Sequence, residues 1–395
     1  MKIYITGLGC ISSIGHNVEH NFESLKNESI GIKKPKFFES RYASQLMFGE
    51  VNLSNEELKS MLRLDILKGL TRTDLLAFKA FDEAVKDAQL SDEDISSKKT
   101  AFISASTVGG MCLTTQLYND SKNLSDTKEF LESYSLYSHS LRIAKEYGLK
   151  GYVDVINTAC SSSANAIMLG AKLIKSGRVD RAIVGGVDSL AKYTVNGFSS
   201  LQILSKDICK PFSKNRDGLN LGEAAAYLVL EGEESSESKN KYGTILGYGN
   251  ANDAFHPSAL SDDGKGVRKS INDALKSANI KPEQVDYINC HGTGTGNNDE
   301  VELRSLSEIF ENIPPFNSLK TYVGHTLGAS GVIEALYSLL SIKHNIIFGQ
   351  VSFEGAMDEF EKEPVVKAVN KKIDIVMSNS YGFSGNCTSL ILGGI

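Results

Sequence analysis

The residue best suited to covalent chemistry is a cysteine between an apolar run and a stretch of small residues. Cys160 follows the run Val153–Ile156 within the letters NTACSSSANA. A cysteine at the start of a helix lies near free backbone N–H groups and the positive end of the helix dipole, which favour a thiolate. The pattern indicates a nucleophile, although a buried free cysteine that packs as a small apolar side chain fits this segment equally well.

Two histidines also follow apolar runs and lead into glycine-containing turns. His291 precedes the letters GTGTGNNDEVE, and His325 precedes TLGASGVIE. The first segment has neither the spacing of a P-loop nor the three-glycine dinucleotide fingerprint, so it does not favour nucleotide binding. It instead predicts a turn that presents His291 together with the hydroxyls of Thr293 and Thr295. A single histidine is more often structural than catalytic, and the second histidine is what favours a catalytic pair.

A third segment with glycines in a short turn lies near the carboxyl terminus. The letters SNSYGFSG, residues 378–385, place glycines on both sides of Phe383 and free the backbone there. Two N–H groups of this turn can point into one cavity, although a tight turn without catalytic function is the alternative. Taken together, one thiol and two histidines at the ends of apolar runs favour acyl transfer over redox or metal chemistry.

The elements that must position these residues follow an α/β pattern. Short apolar runs end in Gly, Ser or Thr and are separated by longer helical patterns. The pattern predicts a helix over Ser161–Lys175 that ends near Gly177. Segments 102–110 and 285–296 resemble each other, as do segments 153–160 and 373–380, so a duplicated fold is possible. The charged segment 231–241 is predicted to separate the two halves.

Composition excludes several classes of protein. The chain of 395 residues has a net charge of -6, which argues against a general affinity for nucleic acid. Its first residues are too short an apolar run for a signal peptide or a membrane span, which predicts a cytoplasmic protein. The six cysteines lie far apart, without C-x-x-C pairs or zinc-ligand spacing, and are expected to be reduced.

The order of motifs along the chain resembles that of the β-ketoacyl-acyl carrier protein synthases, elongating condensing enzymes of the thiolase-like superfamily. The resemblance spans nearly the whole chain. The motifs that carry it are Thr6-Gly7-Leu8-Gly9, Asn157-Thr158-Ala159-Cys160-Ser161, Arg216-Asp217-Gly218, Gly222-Glu223-Ala224, Leu228-Val229-Leu230-Glu231, His291-Gly292-Thr293-Gly294-Thr295, Lys320 with Gly324-His325, and Gly382-Phe383-Ser384-Gly385.

The resemblance assigns the catalytic residues. It implies that Cys160 accepts the acyl group and that His291 and His325 are the two active-site histidines. Lys320 matches the active-site lysine of the family, and Glu334 matches its supporting glutamate. The implied reaction is a ping-pong decarboxylative Claisen condensation, in which the acyl group on Cys160 is attacked by the enolate left when a malonyl thioester loses carbon dioxide.

The resemblance also implies how the substrates are held. The backbone N–H groups of Cys160 and Phe383 would form an oxyanion hole, and the Phe383 ring would gate the acyl pocket. Thr293 and Thr295 match hydroxyls that bind the phosphopantetheine arm of acyl carrier protein, and Val108 matches a residue lining the acyl pocket. No cofactor and no metal would be required.

Charged positions have two implied functions. Asp299 and Glu302 match acidic residues that the family uses structurally or around a bound cation. Acyl carrier proteins are acidic, so an acidic chain needs a local basic patch to bind one, and Lys68, Arg72 and Lys206 are the residues expected to form it. Ordinary solvated surface charges are the alternative for these three.

The implied fold is α/β: a five-layered thiolase-like αβαβα arrangement of two similar halves. We expect an N-terminal half over residues 1–235 that carries the nucleophile, and a C-terminal half over residues 236–395 that carries the histidines. The implied assembly is a homodimer, with a heterodimer with a related ketosynthase as the other possibility. Neither nucleic acid nor membrane is an expected partner.

Departures from the family pattern keep other functions open. Ser384 replaces a glycine of the usual G-F-G-G-x-N motif, and Cys387 stands at its asparagine position. One alternative is a non-catalytic, chain-length-factor-like partner subunit, although such partners usually lack the cysteine. A coenzyme A-dependent thiolase fits less well because it needs a second catalytic cysteine, and starter-unit synthases use a His and an Asn. The pathway, whether fatty-acid, aryl polyene or polyketide elongation, stays open.

Overall fold

A large β-sheet with helices packed on it forms the frame of the protein. The computed structural model describes residues 1–64, 67–114, 117–118, 122 and 133–395. Within them the strands are β1 Ile3–Ser12, β2 Ile32–Lys33, β3 Phe48–Gly49, β4 Thr100–Ala105, β5 Val153–Ile156, β6 Arg181–Asp188, β7 Ala224–Gly232, β8 Gly243–Asn252, β9 Tyr287–Asn289, β10 Phe316–Asn317, β11 Ile346–Ile347, β12 Val369–Asn370, β13 Ile375–Tyr381 and β14 Asn386–Gly393. The helices are α1 Val18–Lys26, α2 Asn55–Leu62, α3 Arg72–Asp87, α4 Asp92–Ser96, α5 Ser138–Glu146, α6 Ser162–Lys175, α7 Lys192–Ser200, α8 Lys265–Ala278, α9 Gly296–Ile309, α10 Lys320–Val323 and α11 Ser330–His344.

The large sheet consists of two halves that repeat one strand order. The order is β5-β4-β6-β7-β1 in the N-terminal half and β10-β9-β13-β14-β8 in the C-terminal half. In each half the first two pairings along this order are parallel and the next two are antiparallel. The halves join where Tyr4 and Ile5 of β1 pair with Thr244 and Gly243 of β8. The shared order confirms the prediction of two similar halves.

Only one of the two sequence echoes matches this repeat. Segments 102–110 and 285–296 include residues of β4 and β9, which have equivalent places in the two halves. Segments 153–160 and 373–380 contain β5 and β13, but the counterpart of β13 is β6. The second echo is therefore no sign of duplication. Both segments look alike because each is a strand that ends in a turn at the same site.

Two helices lie between the halves. Helices α6 and α11 pack on each other and on strands of both halves, whereas α3 covers β1 and β7 and α8 covers β8 and β14. Every residue from Ser330 to Ile342 of α11 is buried, as expected for a helix enclosed on all sides. The resulting order of helix, strand, helix, strand and helix layers confirms the αβαβα prediction.

Helix α6 follows the prediction closely at both ends. It begins after Ser161, and its last turn carries Lys172 and Lys175, which complement the negative end of the helix dipole. The chain leaves the helix through Gly177, whose φ of +69° is readily adopted only by glycine. All six cysteines of the chain are free thiols. Among the described helices, none combines the length and the apolar character needed to cross a bilayer.

Candidate active site

Cys160 lies in the turn between strand β5, at the edge of the sheet, and helix α6. The Thr158 N–H donates to the Ser162 hydroxyl at 2.8 Å, and the Ser162 N–H donates to the Ala159 carbonyl at 3.1 Å. These bonds hold Ala159 at a φ of +54°, in the left-handed region that a side chain disfavours. Strain of this kind persists only where the surrounding structure enforces it, and here it sets the direction of the Cys160 side chain.

Burial of Cys160 disfavours the thiolate form of its side chain. Burial raises its pKa to about 11, while hydrogen bonds from the backbone N–H of Phe383 and of Cys160 itself, and the Lys320 cation, act in the opposite direction. The expectation that the helix start favours a thiolate is therefore wrong for the resting state, because the loss of water outweighs the nearby donors. One of these two N–H groups belongs to each half of the fold.

The hydrogen bonds of His325 fix its tautomer. Its Nδ1 accepts from the Leu327 N–H at 3.1 Å, so the proton of the neutral ring must lie on Nε2. The ring is neutral because burial lowers its pKa well below the usual value, and the Lys320 cation adds to the effect. His325 therefore offers a single N–H donor to the site.

His291 has the same tautomer for a different reason. The Lys320 ammonium lies 2.5 Å from a Glu334 carboxylate oxygen, 2.6 Å from the His291 carbonyl oxygen and 3.3 Å from His291 Nδ1. An ammonium has only donors, so Nδ1 accepts and Nε2 carries the proton. Burial lowers the pKa of His291 well below the usual value, and the charge of Lys320 lowers it further. Lys320 thus orients His291 and keeps it neutral.

The three catalytic candidates meet in one place. The sulfur of Cys160 and one nitrogen each of His291 and His325 lie within 4.8 Å of one another. The centres of the two imidazole rings are 5.5 Å apart, and the ring planes are nearly perpendicular, at 86°. A metal ion bound through Nε2 would force the proton of each ring onto Nδ1, where it would face another donor. The pair is therefore suited to bind an oxygen with two N–H donors.

Two buried carboxylates hold the loop that carries His291. Glu302 accepts from the N–H groups of His291 and Gly292, both at 2.8 Å. Asp299 accepts from the N–H groups of Thr293 at 3.1 Å, Gly294 at 3.2 Å and Phe212 at 2.8 Å. Burial raises the pKa of Glu302 to about 7 and also raises that of Asp299. Because their oxygens bind backbone N–H groups, these residues stabilise the loop directly.

Two cavities meet at Cys160. The first, which we call the polar cavity because it holds the polar catalytic groups, has a volume of 180 Å³, and its lining includes His291, His325, Thr293 and Thr295 beside apolar residues such as Leu219 and Leu260. The second, the apolar cavity, has a volume of 440 Å³, and its lining includes Tyr193, Gly197, Leu201 and Leu327. Cys160, Phe198 and Phe383 line both. The rings of Phe198 and Phe383 stack with centres 5.6 Å apart. The nucleophile therefore lies between a cavity that holds the catalytic polar groups and a cavity lined mainly by apolar residues.

The turn Gly382–Gly385, which we call the gate turn, is tightly built. A side chain at Gly382 would place its first carbon 2.4 Å from the Thr158 carbonyl oxygen, so only glycine fits beside the nucleophile loop. Ser384, by contrast, has a φ of +66°, which disfavours a serine. Cys387 is buried, and its sulfur lies 3.5 Å from the Gly385 carbonyl oxygen. The altered motif thus keeps the turn but leaves it strained.

Val108 does not line either cavity. Its N–H donates to Asp188 at 2.8 Å, and its side chain belongs to an apolar cluster with Leu190, Leu221 and Leu327. Asp188 also accepts from Ser106, Thr107 and Gly328, which fixes the turn. The turn directs the Val108 side chain into the interior, in one cluster with Leu327 of the apolar cavity wall, so its place in the acyl pocket stays a prediction.

The expected basic patch is only partly present. Lys68 and Lys206 are exposed. Arg72, however, is only 15% exposed, and its guanidinium binds the Glu223 carboxylate through Nε and Nη2 and the Leu53 and Val51 carbonyls. The prediction that Arg72 binds a carrier protein is wrong, because its donors are used within the protein.

Sequence reasoning missed several residues at the site. Phe198 follows no motif, and its position between the cavities arises only because α7 packs beside the gate turn. Asn386 lies between Gly385 and Cys387 and has no signature of its own in the sequence, yet its side-chain oxygen accepts from Ser161 at 2.7 Å and from Asn165 at 2.8 Å. No local pattern signals such partners, since they lie more than 200 positions away in the chain.

Comparisons with known proteins agree with this geometry. Residues 1–236 match the N-terminal domain model of β-ketoacyl synthases, and residues 242–354 match the C-terminal domain model. The 3-oxoacyl-[acyl-carrier-protein] synthase 2 of Staphylococcus aureus (strain N315) is 31% identical over 408 residues, which cover 99% of this chain and 97% of the relative. The protein of that name from Coxiella burnetii (strain RSA 493 / Nine Mile phase I) is 30% identical, with 99% and 98% covered.

Solved structures give the same result. The ketosynthase ApeO in complex with its chain length factor ApeC from Xenorhabdus doucetiae superimposes with a TM-score of 0.86 at 32% identity, covering 100% of this chain and 98% of that one. The ishigamide ketosynthase/chain length factor superimposes with a TM-score of 0.92 at 28% identity, covering 100% and 99%. With family models matched over most of its length, the chain belongs to the β-ketoacyl synthase family.

Proposed function

We propose that the protein is a β-ketoacyl-acyl carrier protein synthase, an acyltransferase that extends an acyl chain by decarboxylative Claisen condensation. The observation that carries the proposal is the convergence of the Cys160 sulfur with His291 and His325 within 4.8 Å, each imidazole being a neutral N–H donor. A nucleophile beside two donors for a developing oxyanion is what acyl transfer and decarboxylation both require.

In the first half-reaction Cys160 takes the acyl group from a carrier-protein thioester. The sulfur attacks the thioester carbonyl, and the N–H groups of Cys160 and Phe383 bind the resulting oxyanion. Removing one such donor typically costs about 3 kcal/mol of transition-state stabilisation. The tetrahedral intermediate then expels the phosphopantetheine thiolate, which takes up the proton that Cys160 loses. The acyl chain occupies the apolar cavity.

In the second half-reaction a malonyl thioester enters through the polar cavity. His291 and His325 donate hydrogen bonds to its thioester oxygen, so the electrons released with carbon dioxide form a stabilised enolate. The enolate carbon attacks the acyl-Cys160 carbonyl and expels the Cys160 thiolate, which takes one proton from solvent. No external base is needed, because the loss of carbon dioxide generates the nucleophile. Neither step calls for a cofactor or a metal.

The remaining site residues position the substrates and the histidines. Lys320, held by Glu334, orients His291. The hydroxyls of Thr293 and Thr295, 2.8 Å apart on the polar cavity wall, are placed to bind the phosphopantetheine arm. The Phe383 ring closes the boundary between the cavities. Asp299 and Glu302 act structurally rather than around a bound cation, and their hydrogen bonds to backbone N–H groups of the His291 loop support this function.

The proposal also covers the domain boundary, the cellular location, the partner protein and the assembly. A boundary between residues 1–235 and 236–395 is supported by the repeated strand order and by the gap between the two family-model matches. A cytoplasmic location is supported by six free cysteines. Acyl carrier protein is the proposed partner, with exposed Lys68 and Lys206 contributing to its docking. The assembly is a homodimer, or a heterodimer of the kind named for the solved ketosynthase relatives.

A non-catalytic partner subunit is the second candidate, because two structural relatives are named for pairs of a ketosynthase and a chain length factor. The intact set of Cys160, His291 and His325 favours catalysis. A thiolase is disfavoured because Cys387, the second cysteine it would need, is buried with its sulfur on the Gly385 carbonyl and lines neither cavity.

An intact-mass measurement tests the proposal. Incubation with acyl-carrier protein should add one acyl group to the wild type and to Cys112→Ala, a control at another free thiol, and none to Cys160→Ala. An unmodified wild type would favour the non-catalytic subunit. Adding malonyl-carrier protein to a panel of acyl-loaded enzymes and weighing the products would distinguish fatty-acid from polyene or polyketide elongation.

A further inference from the structure

One side chain connects the two loops that carry the backbone donors of the active site. Asn386 is the first residue of β14, directly after the gate turn. Four donor groups lie within hydrogen-bonding distance of its side-chain oxygen, those of Ser161 at 2.7 Å, Asn165 at 2.8 Å, Asn250 at 3.1 Å and Thr388 at 3.3 Å. Ser161 and Asn165 belong to the nucleophile loop and α6 of the N-terminal half, whereas Asn250 and Thr388 lie on β8 and β14 of the C-terminal half.

The backbone of Asn386 acts on the gate turn itself. Its carbonyl accepts from the Gly382 N–H at 2.7 Å, which closes the turn that holds Phe383. Ser161, on the other side, directly follows Cys160, and its hydroxyl oxygen also lies 2.8 Å from the Thr158 carbonyl oxygen. Asn386 thus contacts both loops within one residue of Cys160 and Phe383, whose N–H groups form the proposed oxyanion hole.

Both loops contain backbone strain that their own sequences do not favour. Ala159 and Ser384 have φ values of +54° and +66°, and neither is a glycine. Strained turns of this kind relax unless the surrounding structure holds them. An oxyanion hole built from two separate loops depends on their relative position, and a shift of about 1 Å in reacting groups can lower a rate about a hundredfold.

We propose that Asn386 is a positioning residue that sets the separation between the Cys160 and Phe383 N–H groups. This inference rests on the proposed function. It predicts a selective defect: transfer of the acyl group to Cys160 depends on the two N–H groups, whereas decarboxylation of malonyl-carrier protein depends on His291 and His325, which Asn386 does not contact.

The test compares three variants. Asn386→Leu removes the acceptor at similar size and should slow acyl-Cys160 formation between about tenfold and a hundredfold while changing decarboxylation less than about threefold. Asn386→Asp keeps an oxygen acceptor for all four donors and should recover most of that loss. Asn370→Leu is the matched control: it makes the same Asn-to-Leu change on the exposed strand β12 and should behave as the wild type.

A fourth variant keeps the inference testable if Asn386→Leu fails to fold. Ser161→Ala removes the donor with the shortest distance to the Asn386 side-chain oxygen and should slow acyl-Cys160 formation while leaving decarboxylation nearly unchanged. If Asn386→Leu folds, the double variant should be no slower in acylation than Asn386→Leu alone, because both changes remove the same contact. The inference would be overturned if the folded variants form acyl-Cys160 at a rate within threefold of the wild type. It would also be overturned if acylation and decarboxylation slow by the same factor. A wild type that forms no adduct would overturn the proposed function and this inference with it.

Discussion

Replacing Lys320 with methionine removes the cation of a buried ion pair and leaves most of its volume in place. The Lys320 and Glu334 side chains are 1% and 3% exposed, and their charged atoms lie 2.5 Å apart. Loss of one partner of a buried pair leaves an uncompensated charge and typically costs about 3–5 kcal/mol. We therefore expect Lys320→Met to lower the free energy of unfolding by that amount near pH 8.

The second substitution separates stability from activity. Replacing a whole buried pair by apolar residues of similar size is often close to neutral. Lys320→Met combined with Glu334→Leu should therefore recover most of the lost stability. It should not recover malonyl decarboxylation, because His291 Nδ1 and the His291 carbonyl still lack their donor.

The pH dependence has a defined sign. Burial raises the pKa of Glu334, and in the wild type Lys320 opposes this. Without Lys320 the folded-state pKa lies further above the unfolded value. Stability from the protonated carboxyl is then fully present below the unfolded pKa and is lost as the pH rises through the folded pKa. The deficit of Lys320→Met should consequently be smaller at pH 5 than at pH 8.

Urea unfolding followed by far-UV circular dichroism measures these differences, since the chain has no Trp to report by fluorescence. The wild type and the double variant are the controls for the single variant. A loss below about 1 kcal/mol in Lys320→Met, or a double variant as unstable as the single one, would refute the reasoning that an uncompensated buried charge is responsible.

Three further predictions concern the gate turn, the thiol and the surface. Ser384→Gly should raise the free energy of unfolding by roughly 0.5–1 kcal/mol, because glycine accepts the φ of +66° without strain; a loss in urea unfolding would contradict this. Alkylation of Cys160 by iodoacetamide should accelerate about tenfold per pH unit up to at least about pH 9.5, since the thiolate fraction grows with pH below a pKa of about 11; a plateau below pH 9 would contradict the raised pKa. Lys206→Glu should raise the apparent Michaelis constant for the carrier protein about threefold or more, whereas Arg72→Ala should chiefly lower stability by about 3 kcal/mol, since it leaves Glu223 unpaired; an unchanged constant would remove Lys206 from the docking surface.

The positions of the catalytic candidates could be predicted from sequence because each depends on local structure. Cys160, His291 and His325 all stand in short turns that adjoin strands or helices, and the residue types alone suggest acyl transfer. The extent of helix α6 after Cys160 could also be predicted, since Gly177 marks its end.

The properties that depend on tertiary packing could not be predicted. A helix start suggests a thiolate, but the pKa of Cys160 depends on how completely the fold removes water. The sequence around Arg72 does not show that its guanidinium pairs with Glu223, which lies 151 positions away. The tautomer of His291 depends on Lys320, 29 positions away in the chain, whose hydrogen bond has no local signature.

The central claim is that Cys160 holds the acyl group while the histidine pair performs decarboxylation. The most direct test supplies Cys160→Ala with acyl- and malonyl-carrier protein and measures β-ketoacyl product and carbon dioxide separately. We expect no β-ketoacyl product and continued release of carbon dioxide, because His291 and His325 keep their hydrogen bonds. Chain elongation by Cys160→Ala would contradict it.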